Sequence, residues 1–146
     1  MSVFNSINIS ASGLTAERLR ADIISKNIAN ADTTRTASGT PYRRQVAIFR
    51  TKNNKSFSEH FKHAKGQELN LTGVEVGSIQ NDPSPFKRVY DPGHPDADES
   101  GYVSMPNVDI VSEMANLISA TRAYEANVTA MNGTKAMALK ALEIGK

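Results

Sequence analysis

Apolar residues recur at alternating intervals of four and three along the last forty residues: Ile110, Met114, Leu117, Thr121, Tyr124, Val128, Met131, Lys135, Ala138 and Leu142, with only Thr121 and Lys135 polar. A 3.5-residue period held that long predicts a helix packed lengthwise on another helix. Asn107 or Asp109 is a suitable cap just after Pro106, and Gly145 a suitable stop. Gly133 is the weak interior position, about 1 kcal/mol poorer than Ala unless close packing needs it. At the other end Ile7, Ala11, Leu14, Ala21, Ile24, Ile28 and Ala31 share a similar stripe, interrupted by Arg18 and Ser25. The cluster Asn30-Ala31-Asp32-Thr33-Thr34 ends it, because Asn tolerates a left-handed turn and Asp and Thr compete for backbone bonds. Between the helices, Tyr42 to Phe49, Val74 to Gln80 and Phe86 to Tyr90 are β-branched or aromatic runs bounded by turn residues. They predict two or three strands in one small hairpin unit. From Thr51 to Gln67 only Phe57, Phe61 and Ala64 are apolar, and this stretch reads as a loop or one short helix.

The breakers agree with this division. All six prolines fall between Pro41 and Pro106, and six of the nine glycines lie between Gly39 and Gly101. The expected fold is mainly α with a small β-rich insertion, its long N- and C-terminal helices packed as an antiparallel coiled-coil-like pair in an elongated subunit. Residues 1–34 and 107–146 form one discontinuous helical domain, and residues 35–106 the irregular β-hairpin middle region. A helix over 107–144 would be roughly 55 Å long, whereas a compact chain of this size is about 38 Å across. Most of the stripe must therefore pack on the other helix, on further copies or on another protein.

Composition narrows the function. The 146 residues hold no Cys and no Trp and carry a net charge of +2, so one domain is expected, without disulfides or thiolate chemistry. The near-neutral balance argues against nucleic acid, and no apolar run approaches the length of a membrane span. The start, Met1-Ser2-Val3-Phe4-Asn5-Ser6, lacks a cleavable signal's basic and apolar regions. His60 and His63, three apart after Glu59, lack a further zinc ligand and read as a solvated turn. His94 with Asp96 and Asp98 lacks the ligand spacing of a calcium loop. No phosphate cradle, nucleophile elbow or paired carboxylate is present. An enzyme, a metal and a cofactor are not expected.

Charge is unevenly spread. Eight bases against Glu59 alone lie between Arg35 and Lys65, and six acids with no base between Asp91 and Glu113. These are two solvated faces, an anion-binding patch, or contacts between copies in which Arg43 and Arg44 of one meet Asp96 and Asp98 of the next, fixing register.

With long end helices and an irregular middle established, Ser12-Gly13-Leu14, Ala16, Arg18 and Asn27-Ile28-Ala29-Asn30, with Thr33 or Thr34 after them, resemble the N-terminal signature of the bacterial flagellar basal-body rod and hook proteins. Asn107-Val108-Asp109, Glu113-Met114 and Ala123-Tyr124-Glu125-Ala126-Asn127 are similar to the matching C-terminal signature. Tyr90 to Asp98, Gly101-Tyr102-Val103 and Met105-Pro106 resemble the proximal-rod members in particular. The resemblance covers the chain except residues 51–71. It implies a non-enzymatic structural subunit of the basal body's periplasmic rod, exported without a cleaved signal peptide, polymerising helically and transmitting torque from motor to hook. The implied partners are copies of itself, other proximal-rod proteins, the distal-rod protein, and the inner-membrane-ring adaptor or export gate at the base.

Heterologous contacts that do not close build such a filament. Ile110, Met114, Leu117, Tyr124, Val128, Met131 and Leu142, with Ile7, Leu14, Ile24 and Ile28, are therefore assigned to packing within and between subunits. Asn27, Asn30 and Asn127 read as turn and helix-contact hydrogen bonders, and Tyr124 as an interface anchor. The competing reading is a non-polymerising helical adaptor that binds a partner helix or an anionic surface. Sedimentation separates the two, because only a rod subunit grows open-endedly.

Overall fold

The computed structural model describes residues 3–52 and 73–143. Helix α1 runs Val3–Ala29, followed by strands β1 (Gln45–Thr51), β2 (Val74–Asn81), β3 (Lys87–Tyr90) and β4 (Tyr102–Met105), and helix α2 runs Ile110–Glu143. The 34 residues of α2 span about 51 Å. Asp109 starts this helix: its carbonyl accepts from the Glu113 N–H at 2.9 Å, and its carboxylate accepts from the Ser112 hydroxyl at 2.6 Å. The Ser112 hydroxyl and the first backbone N–H groups of the helix hold the Asp109 carboxyl below the ordinary carboxylate range. Helix α1 stops at Ala29, and the Asn30 side chain donates back to the Lys26 carbonyl at 2.9 Å.

The middle region corrects the expectation of one hairpin unit. It holds two separate two-stranded antiparallel sheets, β1 with β2 and β3 with β4. Strand β1 begins at Gln45, three residues later than the apolar run suggests, because the preceding backbone is engaged elsewhere. The Tyr42 N–H donates to Thr33, and the Arg44 N–H to the Asn107 side chain. Strand β4 has only four residues and runs into Pro106. Its hairpin closes through Gly101, whose φ of 77° suits glycine, and Tyr90 meets Tyr102 edge-on at 5.3 Å.

Both helices lie along each other, and β1 and β2 both pack on α1. The first residue of β2 is tied there by the Ser12 hydroxyl, which accepts from the Val74 N–H at 3.0 Å and donates to the Ile9 carbonyl at 2.6 Å. Among the described residues the buried apolar side chains are Ala16, Ile23, Ile24, Ala31, Tyr42, Val103, Val108 and Ala120.

The covered positions of α2 are Glu113, Asn116, Leu117, Ala120, Ala123, Asn127, Val128, Met131, Thr134 and Ala138. Against the stripe read from the sequence, half of the seam is displaced by one residue. Leu117, Val128, Met131 and Ala138 stay in it, but Glu113, Ala120, Asn127 and Thr134 line it alongside them. Ile110, Met114, Thr121, Lys135 and Leu142 are exposed, and Tyr124 is 39% exposed. Small and hydrogen-bonding side chains let the two backbones approach closely, so the bulkier apolar side chains are left facing away from α1. On α1, Ile24 is buried, and Ile7, Leu14 and Ile28 are half-buried.

Candidate functional site

Where the C-terminal end of α1, the start of β1 and the N-terminal end of α2 meet, the chain buries a polar network beside a small apolar cluster of Ala31, Tyr42 and Val108. Asn27 has no exposed surface, and Glu113 is 1% exposed. Asn27 uses all the hydrogen-bonding capacity of its side chain. Its amide nitrogen donates to the Gln45 carbonyl at 2.8 Å and to Glu113 Oε2 at 2.9 Å. Its oxygen accepts from the Tyr42 hydroxyl and the Gln45 N–H, both at 2.9 Å. One side chain thus joins α1, the approach to β1 and α2.

The second oxygen of Glu113 is as fully engaged. Oε1 accepts from Arg44 Nε at 3.0 Å and Nη2 at 2.7 Å, and from Asn116 Nδ2 at 3.2 Å. The remaining Arg44 nitrogen reaches Asp82 Oδ2 at 3.1 Å. Burial disfavours the Arg44 charge, but its bonds to Glu113 and Asp82 outweigh that and raise its affinity for the proton. Burial, and then the Glu113 charge, push the Tyr42 hydroxyl above its usual range. A buried pair of this kind adds little net stability compared with an apolar replacement, yet removing one partner is costly. Its contribution is to fix one arrangement of three elements.

Asn107 extends the network to the turn after β2, accepting from the Arg44 N–H at 2.9 Å and donating to the Asp82 and Ser84 carbonyls, each at 3.2 Å. The Ser84 hydroxyl and N–H, and then Arg44, hold the Asp82 carboxyl down at about 2 against an ordinary 3.8. A carboxyl depressed in the folded state stabilises above its unfolded value, and that contribution fades as pH falls through the folded value. Wild-type urea midpoints should therefore drop between about pH 4 and pH 2 more steeply than those of Asp82→Asn; equal slopes would remove Asp82 from the linkage.

Further along the pair, Gly13 is buried, and a Cβ placed there would sit 2.9 Å from Asn127 Oδ1. The Asn127 amide donates to the Ala123 carbonyl of its own helix at 2.9 Å, which holds its oxygen toward Gly13. The residues carrying the two terminal signatures are thus each other's contacts: Gly13 with Asn127, and Asn27 with Glu113. Ala29 and Asp109 take no part in the network beyond marking helix ends.

The four charges read as possible contacts with another copy each have a partner inside the subunit. Arg44 is held by Glu113 and Asp82. Arg43 donates to the Asp82 and Ser84 carbonyls and lies 4.3 Å over the Phe86 ring. Asp96 accepts from the Thr34 hydroxyl at 2.8 Å and has the Arg35 guanidinium 3.8 Å away, and Asp98 pairs with Arg88 at 2.6 Å. Chain folding supplies the partners that sequence distance hides, with 38 and 69 residues separating Arg44 from its two acids. Tyr42, Gln45, Asp82 and Asn116 escape sequence reasoning altogether; Tyr42 read only as the start of a strand. His60 and His63 lie outside the described residues. Among the described residues no group of three His, Cys, Asp or Glu could hold a metal, and His94 Nδ1 accepts from the Asp96 N–H at 3.1 Å. No helix among them is long and apolar enough to cross a membrane.

The family model for flagella basal body rod protein matches residues 7–35, and that for the flagellar basal body rod FlgEFG protein C-terminal matches residues 99–144. Those two segments hold Gly13 and Asn27, and Asn107, Glu113 and Asn127. The flagellar basal-body rod protein FlgC of Bacillus subtilis (strain 168) is 50% identical over all of both chains. Its namesake from Borreliella burgdorferi is 48% identical over 99% of this chain and 98% of its own. That of Salmonella typhimurium (strain LT2) is 40% identical over all of both chains. By full-length identity and by the pairing of its two terminal signatures, the chain belongs to the FlgC family of flagellar basal-body rod proteins.

Proposed function

We propose that this chain is a non-enzymatic structural subunit of the proximal rod, which polymerises helically in the periplasm and transmits torque from motor to hook. In this reading residues 1–34 and 107–146 form one discontinuous domain, an antiparallel coiled-coil-like pair, and residues 35–106 form the middle region. Support for the antiparallel pair comes from two contacts: from Gly13 to Asn27 the chain advances 14 residues, and from their partners Asn127 to Glu113 it retreats 14. The partners are further copies, the other proximal-rod and distal-rod proteins, and the inner-membrane-ring adaptor or export gate at the base.

The observation that carries the reading is the apolar surface α2 leaves outside the subunit. Val111 is 76% exposed and Ile118 61%, one stripe with Met114 between them, and Leu142 is 74% exposed at the far end. Side chains of this size, placed along a long helix, mark protein contacts. Gly133 points the same way, since a Cβ there would meet nothing within 4 Å among the described residues. Ile110, Met114, Tyr124 and Leu142 are accordingly assigned to contacts between subunits. Leu117, Val128, Met131, Ile7, Leu14, Ile24 and Ile28 are assigned to packing within one.

The test is Ile118→Asp, a charge on the exposed stripe. The purified variant should keep the wild-type helical signal and urea midpoint, because the site is exposed, while cells that carry it stop swimming and their basal bodies lack rods beyond this subunit. Normal swimming would remove the stripe from the assembly surface.

A further inference from the structure

The chain has five methionines and no cysteine, so thioether is its only sulfur chemistry. Of the four in the described residues, Met105 and Met131 are half-buried, whereas Met114 is 54% and Met137 66% exposed. Susceptibility of a thioether to oxidants follows exposure. The two exposed sulfurs differ in setting. Met137 is flanked on its own face by Gly133 and Lys140. Met114 stands three residues after Val111 and four before Ile118, at the centre of the exposed apolar stripe. It also follows Glu113, whose buried bonds to Asn27 and Arg44 hold this end of α2 in place.

We propose that Met114 is an oxidation site through which hydrogen peroxide renders an unassembled subunit unable to join another copy. With peroxide, the thioether sulfur attacks one oxygen and the O–O bond breaks. Sulfur loses two electrons as the S–O bond forms, and the peroxide is reduced to water. The product, methionine sulfoxide, is polar and strongly hydrated, and it sits where an apolar contact is needed. Because Met114 touches solvent and not the core, the oxidised subunit stays folded; the lesion acts on association. Methionine sulfoxide reductases would restore the thioether. The site assignment stands on exposure alone, and its consequence rests on the assembly surface proposed above.

The experiment has two arms. In the first, the purified full-length chain is exposed to hydrogen peroxide and its peptides are weighed over time. Met114 and Met137 should gain oxygen several-fold faster than Met105 and Met131, with the helical signal unchanged. Oxidation of Met114 no faster than the half-buried pair overturns the site. In the second, Met114→Gln, a permanent polar mimic of the sulfoxide, and Met114→Leu, apolar and inert to peroxide, are placed in cells and basal bodies are counted. Gln should cut rod-bearing basal bodies at least tenfold, and Leu should leave them near the wild-type number. Wild-type numbers with Gln overturn the consequence for assembly. Failure of the surface reading is separate: it shows as rods formed by Ile118→Asp, while the peptide masses still decide whether Met114 is the oxidation site.

Discussion

Replacing Asn27 by Asp should destabilise the fold by about 3 kcal/mol or more, although the side chain keeps its size and gains only an oxygen for a nitrogen. That nitrogen supplies the two donors facing the Gln45 carbonyl and Glu113 Oε2. An oxygen in its place confronts two acceptors, one of them the Glu113 carboxylate with 1% exposure. The bonds from the Tyr42 hydroxyl and the Gln45 N–H survive, so the loss is confined to the other half of the side chain. Asn27→Ala also removes an acceptor and opens a cavity, yet it creates no repulsion between anions. The comparison is read from urea unfolding followed by the helical signal. At neutral pH Asn27→Asp should be the weaker of the two. Equal midpoints would mean that charge at this junction is not what the network excludes.

The same junction shows why some of this molecule is readable from its residues and some is not. Proline placement and periodicity locate both helices to within a few residues, because helix breaking and side-chain periodicity are local properties. The strands from Gln45, Val74 and Lys87 are legible for a similar reason, being β-branched or aromatic runs between turns. Strand β4 is not, since Tyr102-Val103-Ser104-Met105 is too short to show alternation and needs β3 to hold it. Arg44 is the clearest failure: its neighbours in sequence are basic, while its partners Asp82 and Glu113 arrive only through the tertiary fold. The seam of α2 misleads differently. A search for the most apolar stripe selects Ile110, Met114 and Leu142, whereas close approach of two backbones selects Ala120, Asn127 and Thr134. The apolar stripe is real, and its exposure in a single subunit is what directs attention to contacts between copies.

Close approach also sets the second large effect. Gly13→Leu is expected to cost about 2 kcal/mol and to stop rod assembly. Leucine is a better helix former than glycine by nearly 1 kcal/mol, which alone would stabilise α1. Against that, even its Cβ falls 2.9 Å from Asn127 Oδ1 and 3.1 Å from Cγ and Nδ2, and the rest of the side chain must enter space the amide already fills. Overpacking a tight contact costs about 1 to 3 kcal/mol or more when backbones must part. Here the Asn127 amide is tied to the Ala123 carbonyl, so turning it aside also breaks that bond. Asn127→Ala empties the same space, and in its background Gly13→Leu should become nearly neutral. The pair would then show a coupling of about 1 to 2 kcal/mol in a double-mutant cycle, as expected for residues in direct contact. Basal-body counts should follow the same order, with rods lost in Gly13→Leu and partly regained in the double variant, since a helix pair spread at this point presents its outer stripe at the wrong separation. Additive effects of the two substitutions would show that the glycine in the N-terminal signature and the asparagine in the C-terminal one do not act through each other.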